Sequence, residues 1–275
     1  MSAADGCLPN KSSNVCWPIP ESMKLSRHTL VWIKPQYSED VVAQITEDVL
    51  RAQVAVWLAA DRPLVVARQP VIHKDFADAG AGHGREPNFN RGHGPLLQDR
   101  FSVGNGIGET ISVGLALPPA QGKLRIALGI SSNDIARHTL PLKLSDAIPH
   151  APYEWQTALI ELDAAAMDFG IELRVFGSLA WQALSGLPYL TSQSDIDLLW
   201  HPKSRRQLQQ GIALLACWEQ TSGLRADGEV LFGGTSAVSW REWSALQTGD
   251  ERRVMVKRES GAELVDSLEL LEMLA

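Results

Sequence analysis

Arg174-Val-Phe-Gly-Ser-Leu-Ala-Trp181 and Ser194-Asp-Ile-Asp-Leu-Leu-Trp200 are the two stretches on which the reading of this chain turns. In the first, a short apolar run enters Gly177-Ser178 and a helical segment follows. In the second, an apolar strand opens with two aspartates one residue apart. Side chains alternate across a strand, so Asp195 and Asp197 share one face while Ile196 and Leu198 take the other. Paired carboxylates at a strand end make a hard-oxygen site suited to Mg²⁺. A Gly-Ser turn between strand and helix offers backbone N–H groups and a hydroxyl to a phosphate. Together these residue types point to metal-assisted nucleotidyl transfer.

Such a reaction attacks an α-phosphate and expels pyrophosphate, and two ions about 3.5–4 Å apart can stabilise both the attacking and the leaving oxygens. Asp195 and Asp197 are the expected metal ligands, and a third acid usually completes such a site. Asp227 and Glu229 are the candidates, with Asp227 preferred, although Asp227-Gly228 also reads as a turn dipeptide. Gly177 and Ser178 are expected to bind the triphosphate, and Ser178 can at the same time cap a helix over 179–186. Lys203, Arg205 and Arg206 follow the aspartates, while Arg252, Arg253, Lys257 and Arg258 flank Val254-Met-Val256. Singly each is a solvated charge; as a set they form a basic patch for a triphosphate or an acidic partner, with Lys257 placed to face a phosphate.

Outward from this centre, the second half alternates strand and helix. Strands are expected over 173–176 and 195–200, with a helix over 203–220 carrying Leu208, Ile212, Leu215 and Trp218 on one face. Residues 224–232 read as a strand or a hairpin, 237–246 as a short helix, 254–256 as a strand and 267–274 as a terminal helix. Upstream, Trp155, Leu159, Leu162, Ala166 and Phe169 make a core-facing helical stripe closed by Gly170.

The first half reads as a strand over 30–33 stopped by Pro35, then a helix from Ser38 with Val42, Ile45, Val49, Ala52 and Val56 on one face. A strand over 64–67 and a hairpin of 111–117 with 123–128 follow, and 131–150 is expected to cross a surface. The glycine-rich stretch of about 74–108, with His73, His83 and His93 in and beside it, lacks the close histidine spacing of a metal site and the strand–helix frame of a phosphate loop. It reads as a surface insertion, and residues 1–26 as a loose N-terminal extension. The fold class is α/β, an α+β mixed sheet: a nucleotidyltransferase-like domain over 151–275 behind a smaller α+β accessory domain over 27–150.

A net charge of −7 argues against a broad nucleic-acid surface. Cys7, Cys16 and Cys217 are too scattered for a disulfide framework or a zinc cluster and fit a reducing cytoplasm. Met1–Lys24 lacks the apolar core of a secretory signal, and no run of about 18 apolar residues predicts a membrane span.

The chain resembles the malonate decarboxylase holo-acyl-carrier-protein synthases, or phosphoribosyl-dephospho-CoA transferases. The resemblance lies in Arg27-His-Thr-Leu-Val-Trp32, Arg62-Pro-Leu-Val-Val66, Val113-Gly-Leu-Ala-Leu-Pro-Pro119, Arg174 to Gln182, Ser194 to Leu199 and Ala237-Val-Ser-Trp-Arg-Glu-Trp243. It implies a 2′-(5-triphosphoribosyl)-3′-dephospho-CoA substrate, an acceptor serine on the apo acyl-carrier subunit of malonate decarboxylase, and release of pyrophosphate. It also implies metal binding at Asp195 and Asp197 and phosphate binding at Gly177 and Ser178. The leading 26 residues and the stretch around 74–108 depart from the family pattern. A transferase of the same fold with another acceptor, and a carrier-binding module without turnover, are the alternatives.

Overall fold

The computed structural model describes residues 25–67, 96–97, 110–246, 252–258 and 261–274. His73, His83, His93, residues 1–24 and nearly all of 74–108 lie outside the described residues. Two six-stranded sheets, each with its own hydrophobic cluster, build the molecule.

The first sheet contains β1 (Leu30–Ile33), β2 (Leu64–Val66), β3 (Leu96–Leu97), β4 (Thr110–Ala116), β5 (Arg125–Ser131) and β6 (Ile135–Thr139), in the order β3-β5-β4-β2-β1-β6. Helices α1 (Ser38–Ala43) and α2 (Asp48–Ala59) pack on it. The expected hairpin is β4 with β5, paired from Thr110↔Ser131 to Ala116↔Arg125. Two expectations fail here. The predicted helix from Ser38 is two helices, separated by a linker whose Ile45 and Thr46 carbonyls accept from Arg51. That break shifts the helical phase, so Leu50, Val54 and Trp57 are buried while Val49 and Val56 are exposed. The segment 131–150, expected to cross a surface, instead supplies edge strand β6 against β1. Only Ile135 of that strand is buried, which hid it from an apolar-pattern reading.

The second sheet contains β7 (Arg174–Val175), β8 (Ile196–Trp200), β9 (Ala226–Phe232), β10 (Ser236–Ser239), β11 (Arg253–Arg258) and β12 (Gly261–Asp266), in the order β12-β11-β10-β9-β8-β7. Its helices are α3 (Leu144–Ala147), α4 (Tyr153–Asp168), α5 (Gly177–Ser185), α6 (Arg205–Ser222), α7 (Trp240–Leu246) and α8 (Ser267–Glu272). Leu144, Ala147 and Ile148, ahead of residue 151, pack into this second core. Ser204 caps α6 by accepting from the Gln207 N–H, and Leu208, Ile212, Leu215 and Trp218 are buried as their spacing requires. In α4, Trp155, Leu159, Leu162 and Ala166 are buried, and Gly170 takes the left-handed conformation at φ 68°.

Strands β8 and β9 run parallel, with α6 as the crossover between them, and all other pairs of this sheet are antiparallel. The turn expected at Asp227-Gly228 is not formed: both residues lie inside β9, opposite Asp197 and Leu198. Residues 237–246 divide into β10 and α7 rather than a single helix. Ile196, Leu198, Ala226, Val230 and Phe232 face the helices, and the opposite sheet face carries Asp197, Asp227 and Glu229.

The two units meet beside that polar face. Trp57 packs edge-on against Trp181 of α5 at 5.5 Å, Trp181 stacks on Tyr189, and the Tyr189 hydroxyl donates to the Ala116 carbonyl at 2.7 Å. Burial pushes the Tyr189 phenol up to about 12. Gly228 is required by the parallel pairing, since a Cβ there would lie 2.2 Å from the Leu198 carbonyl oxygen. Gly228→Ala should therefore lower stability by about 1–3 kcal/mol, read as a reduced urea midpoint at unchanged slope.

Candidate active site

Parallel register brings Asp197 and Asp227 side by side on one sheet face. Asp197 lies under the turn entering α5. Gly177 has φ 65°, and a Cβ on it would lie 1.8 Å from Asp197 Oδ2, so a residue with a side chain is excluded there. The Ser178 amide donates to the Asp197 carboxylate. Ser178 is not the helix cap expected from sequence, because α5 begins one residue earlier and Phe176 occupies the cap position without a side-chain bond. Burial, then the charges of Asp227 and Asp195, push the Asp197 carboxyl up to about 7, against smaller opposing effects of the Ser178 amide and Arg125. Arg125 comes from β5 of the other unit and has no counterpart in the sequence-based site.

Asp195 sits just ahead of β8 with its side chain one-third exposed, and Arg225 Nε lies 3.3 Å from its Oδ1. Asp227 is exposed and accepts from the Gly228 amide at 2.8 Å. Among the described residues no three His, Cys, Asp or Glu side chains are gathered into a ready ligand set. Asp197 and Asp227 form a repelling all-oxygen pair, which fits a hard cation that binds one or two carboxylates and completes its shell with water and phosphate. Asp195 is near enough for its charge to raise the Asp197 pKa while it pairs with Arg225.

Glu229, the alternative third ligand, is committed elsewhere. Its buried carboxylate pairs with Arg27, accepts from Lys257 Nζ at 2.9 Å and lies 3.4 Å from His28 Nε2. Burial alone would raise its pKa, but hydrogen bonds from His28 and Arg27 and the charges of Arg27 and Lys257 hold it well below the usual carboxylate range. Lys257, expected to face a phosphate, reaches Glu229 instead, across Ala237 of the intervening β10. Burial first, helped by the charges of Arg27 and Lys257, lowers the His28 pKa despite Glu229. His28 stacks at 4.2 Å on Phe176, the residue before Gly177, and holds the left-handed backbone value φ 70°. Such a conformation costs a non-glycine residue about 1–3 kcal/mol and survives where surrounding contacts impose it. In the sequence Arg27 and His28 stood only at the head of the family-like stretch Arg27 to Trp32, with no role attached.

A second unforeseen group holds Asp227 in place. The carbonyl of Ala226 accepts from Trp240 Nε1 at 3.0 Å and from Arg241 Nη2 at 2.8 Å, while its N–H donates to Glu219 at 2.7 Å. Arg241 and Glu219 also pair with each other. The peptide before Asp227 is thus bound from three sides.

Two family models match the chain: Phosphoribosyl-dephospho-CoA transferase MdcG N-terminal domain over 26–80 and the C-terminal domain of the same protein over 143–268. A phosphoribosyl-dephospho-CoA transferase of Xanthomonas campestris is 38% identical over 239 residues, covering 87% of this chain and 93% of the relative. The chain belongs to the phosphoribosyl-dephospho-CoA transferase family. A relative from Xanthomonas axonopodis pv. citri is 36% identical over the same shares, and one from Bradyrhizobium diazoefficiens is 39% identical over 48% of this chain and 58% of its own length. No solved structure matches the chain. The C-terminal family segment contains Gly177, Ser178, Asp195, Asp197, Asp227, Glu229 and Lys257, and the N-terminal one contains Arg27 and His28. The Glu229 cluster therefore joins the two segments that the family models match.

The raised pKa of Asp197 sets a pH dependence. The folded protein holds this proton more tightly than the unfolded chain, so its contribution to stability is complete below about pH 4 and is lost as pH rises through 7. In chelator, Asp197→Asn should remove this fall and melt above the wild type at pH 8; a melting curve that falls equally in both proteins would contradict the assignment.

Proposed function

We propose that the chain transfers the phosphoribosyl-dephospho-CoA group from 2′-(5-triphosphoribosyl)-3′-dephospho-CoA to a serine of the apo acyl-carrier subunit of malonate decarboxylase. The observation that carries this reading is the Asp197–Asp227 pair beneath the Gly177-Ser178 turn, in a chain of this family. The turn that packs on Asp197 also opens a helix, whose N-terminal amides favour an anion. With substrate bound, the Gly177 and Ser178 amides and the Ser178 hydroxyl take triphosphate oxygens.

Mg²⁺ would be held by Asp197 and Asp227, with Asp195 joining once freed from Arg225, and it supplies positive charge to the phosphate oxygens on which charge builds. Asp197 would hold the ion in its ionised form, its proton released to solvent. The serine oxygen of the carrier forms a bond to the α-phosphorus, the bond from that phosphorus to the pyrophosphate oxygen breaks, and the serine proton passes to solvent. The product is a phosphodiester on the carrier. Because the nucleophile comes from the partner, this chain needs no activated serine of its own. Arg125 is close enough to Asp197 for its charge to oppose the raised pKa. The fold reading that accompanies this chemistry is nucleotidyltransferase-like, and the setting is the cytoplasm.

The test is mass spectrometry of apo carrier protein incubated with enzyme, Mg²⁺ and the triphosphoribosyl substrate. The carrier should gain the mass of the prosthetic group with one pyrophosphate released per transfer. Asp197→Asn and Asp227→Asn should slow this by about 10²–10³-fold, the range seen when a group stabilising transition-state charge is removed. Full activity in both variants would end the proposal.

A further inference from the structure

The polar face of the second sheet continues past the carboxylate pair. Side chains alternate along β11: Val254 and Val256 enter the core, while Arg253, Met255 and Lys257 take the face that carries Asp227 and Glu229. In β10, Ala237 stands opposite both Leu231 and Lys257. Four residues back along the parallel strands β9 and β11, Arg253 is therefore level with Asp227, two strands and about 10 Å away. Met255 stands opposite Leu264 of β12, which is 58% exposed. Asp266, opposite Arg253, accepts from the Leu268 amide at 2.9 Å as the cap of α8. The exposed Arg253 guanidinium is left without a partner among the described residues. An open sheet face beside the candidate site thus carries two apolar side chains and an unpaired cation.

The opposite side of the carboxylate pair is already occupied. There the first unit packs Trp57 on Trp181, accepts from Tyr189 at the Ala116 carbonyl and sets His28 on Phe176. In the transfer reading the triphosphate lies at the Gly177-Ser178 turn on that side, so pyrophosphate leaves toward α5. An in-line displacement brings the serine oxygen from the other direction, over β9 to β12. We propose that the face around Arg253, Met255 and Leu264 is the surface on which the apo carrier docks, an inference that rests on the transfer reading. A standard interface covers about 800 Å² per partner, enough to extend from Leu264 over Arg253 to Asp227. The matching carrier surface presents an apolar side chain to Met255 and Leu264 and a carboxylate to Arg253, beside its serine. In a chain of net charge −7, local positive charge at Arg252 and Arg253 steers such a partner to this face.

Steady-state loading of apo carrier by the full chain tests this, with the triphosphoribosyl substrate saturating and carrier concentration varied. Leu264→Ser and Arg253→Gln should each raise the carrier KM about tenfold, the loss expected when an interface anchor is truncated. Both should keep the wild-type kcat and the wild-type calorimetric affinity for the triphosphoribosyl substrate. Added salt should raise the carrier KM of the wild type more than that of Arg253→Gln. Ile160→Ser, at a position 56% exposed on α4 across the sheet, should change none of these values. Wild-type carrier KM in both face variants, or an equal rise in Ile160→Ser, would overturn the docking surface. If Leu264→Ser instead splits an assembly of this chain in sedimentation, or lowers the melting midpoint, with carrier KM unchanged, a second copy or the chain itself covers the face and the proposal falls. If the wild type loads no carrier at any concentration, the transfer reading falls. Fluorescence anisotropy of labelled apo carrier then decides the surface separately: binding weakened by Leu264→Ser upholds it, and absence of binding removes it.

Discussion

The parallel pairing of β8 with β9 is the constraint on which the rest of this structure depends. It sets Asp197 opposite Asp227 at the spacing of neighbouring strands, about 4.8 Å, and it sets Leu199 opposite Glu229 one step further along. Two carboxylates at that distance repel, and burial of one of them compounds the cost. The fold accommodates this pairing with two glycines. Gly228 lets β9 approach the Leu198 backbone, and Gly177 lets the turn into α5 lie directly on Asp197. Neither position tolerates a Cβ, so site and sheet are specified by the same close contacts.

Glu229 plays a different part from its neighbours on the same face. A buried ion pair is seldom a source of net stability, since removing the charges from water offsets their attraction. Here one carboxylate gathers Arg27, His28 and Lys257 from both family modules, and the return is geometric. The cluster holds the left-handed His28 against Phe176 and so links the first unit to the residue that precedes the Gly177-Ser178 turn. Trp57, Trp181 and Tyr189 make the apolar counterpart of this junction on the other side of α5.

Legibility followed the length and amphipathicity of each element. The stripes of α4 and α6 were readable because four or five apolar residues at helical spacing leave little choice of face. The Gly-Ser and Asp-x-Asp elements stood out together, one between a strand and a helix and one opening an apolar strand, and the fold brings Gly177 onto Asp197. The α1–α2 region misled because the chain breaks between Ala43 and Asp48, where Arg51 binds the Ile45 and Thr46 carbonyls, an interaction with no signature in hydrophobic period. Strand β6 was hidden because an edge strand buries little; its Arg137 lies on the Trp32 ring and pairs with Asp61 at the surface. Asp227-Gly228 resembled a turn for the same local reason that such dipeptides often are turns, and pairing with β8 overrode that preference.

Sequence alone determined the fold class, the principal helices and the family resemblance, and it singled out Gly177, Ser178, Asp195 and Asp197 as candidates. These depend on local spacing and residue chemistry, which are written along the chain. Tertiary structure decided which acid joins Asp197 and which does not. Asp227 and Glu229 have the same residue class, the same strand and the same face, and no local rule separates them. They differ in what lies across space: Asp197 and open solvent for one, and Arg27, His28 and Lys257 for the other. Those partners sit about 200 and about 30 residues away in the chain, and only folding brings their charges within range of Glu229.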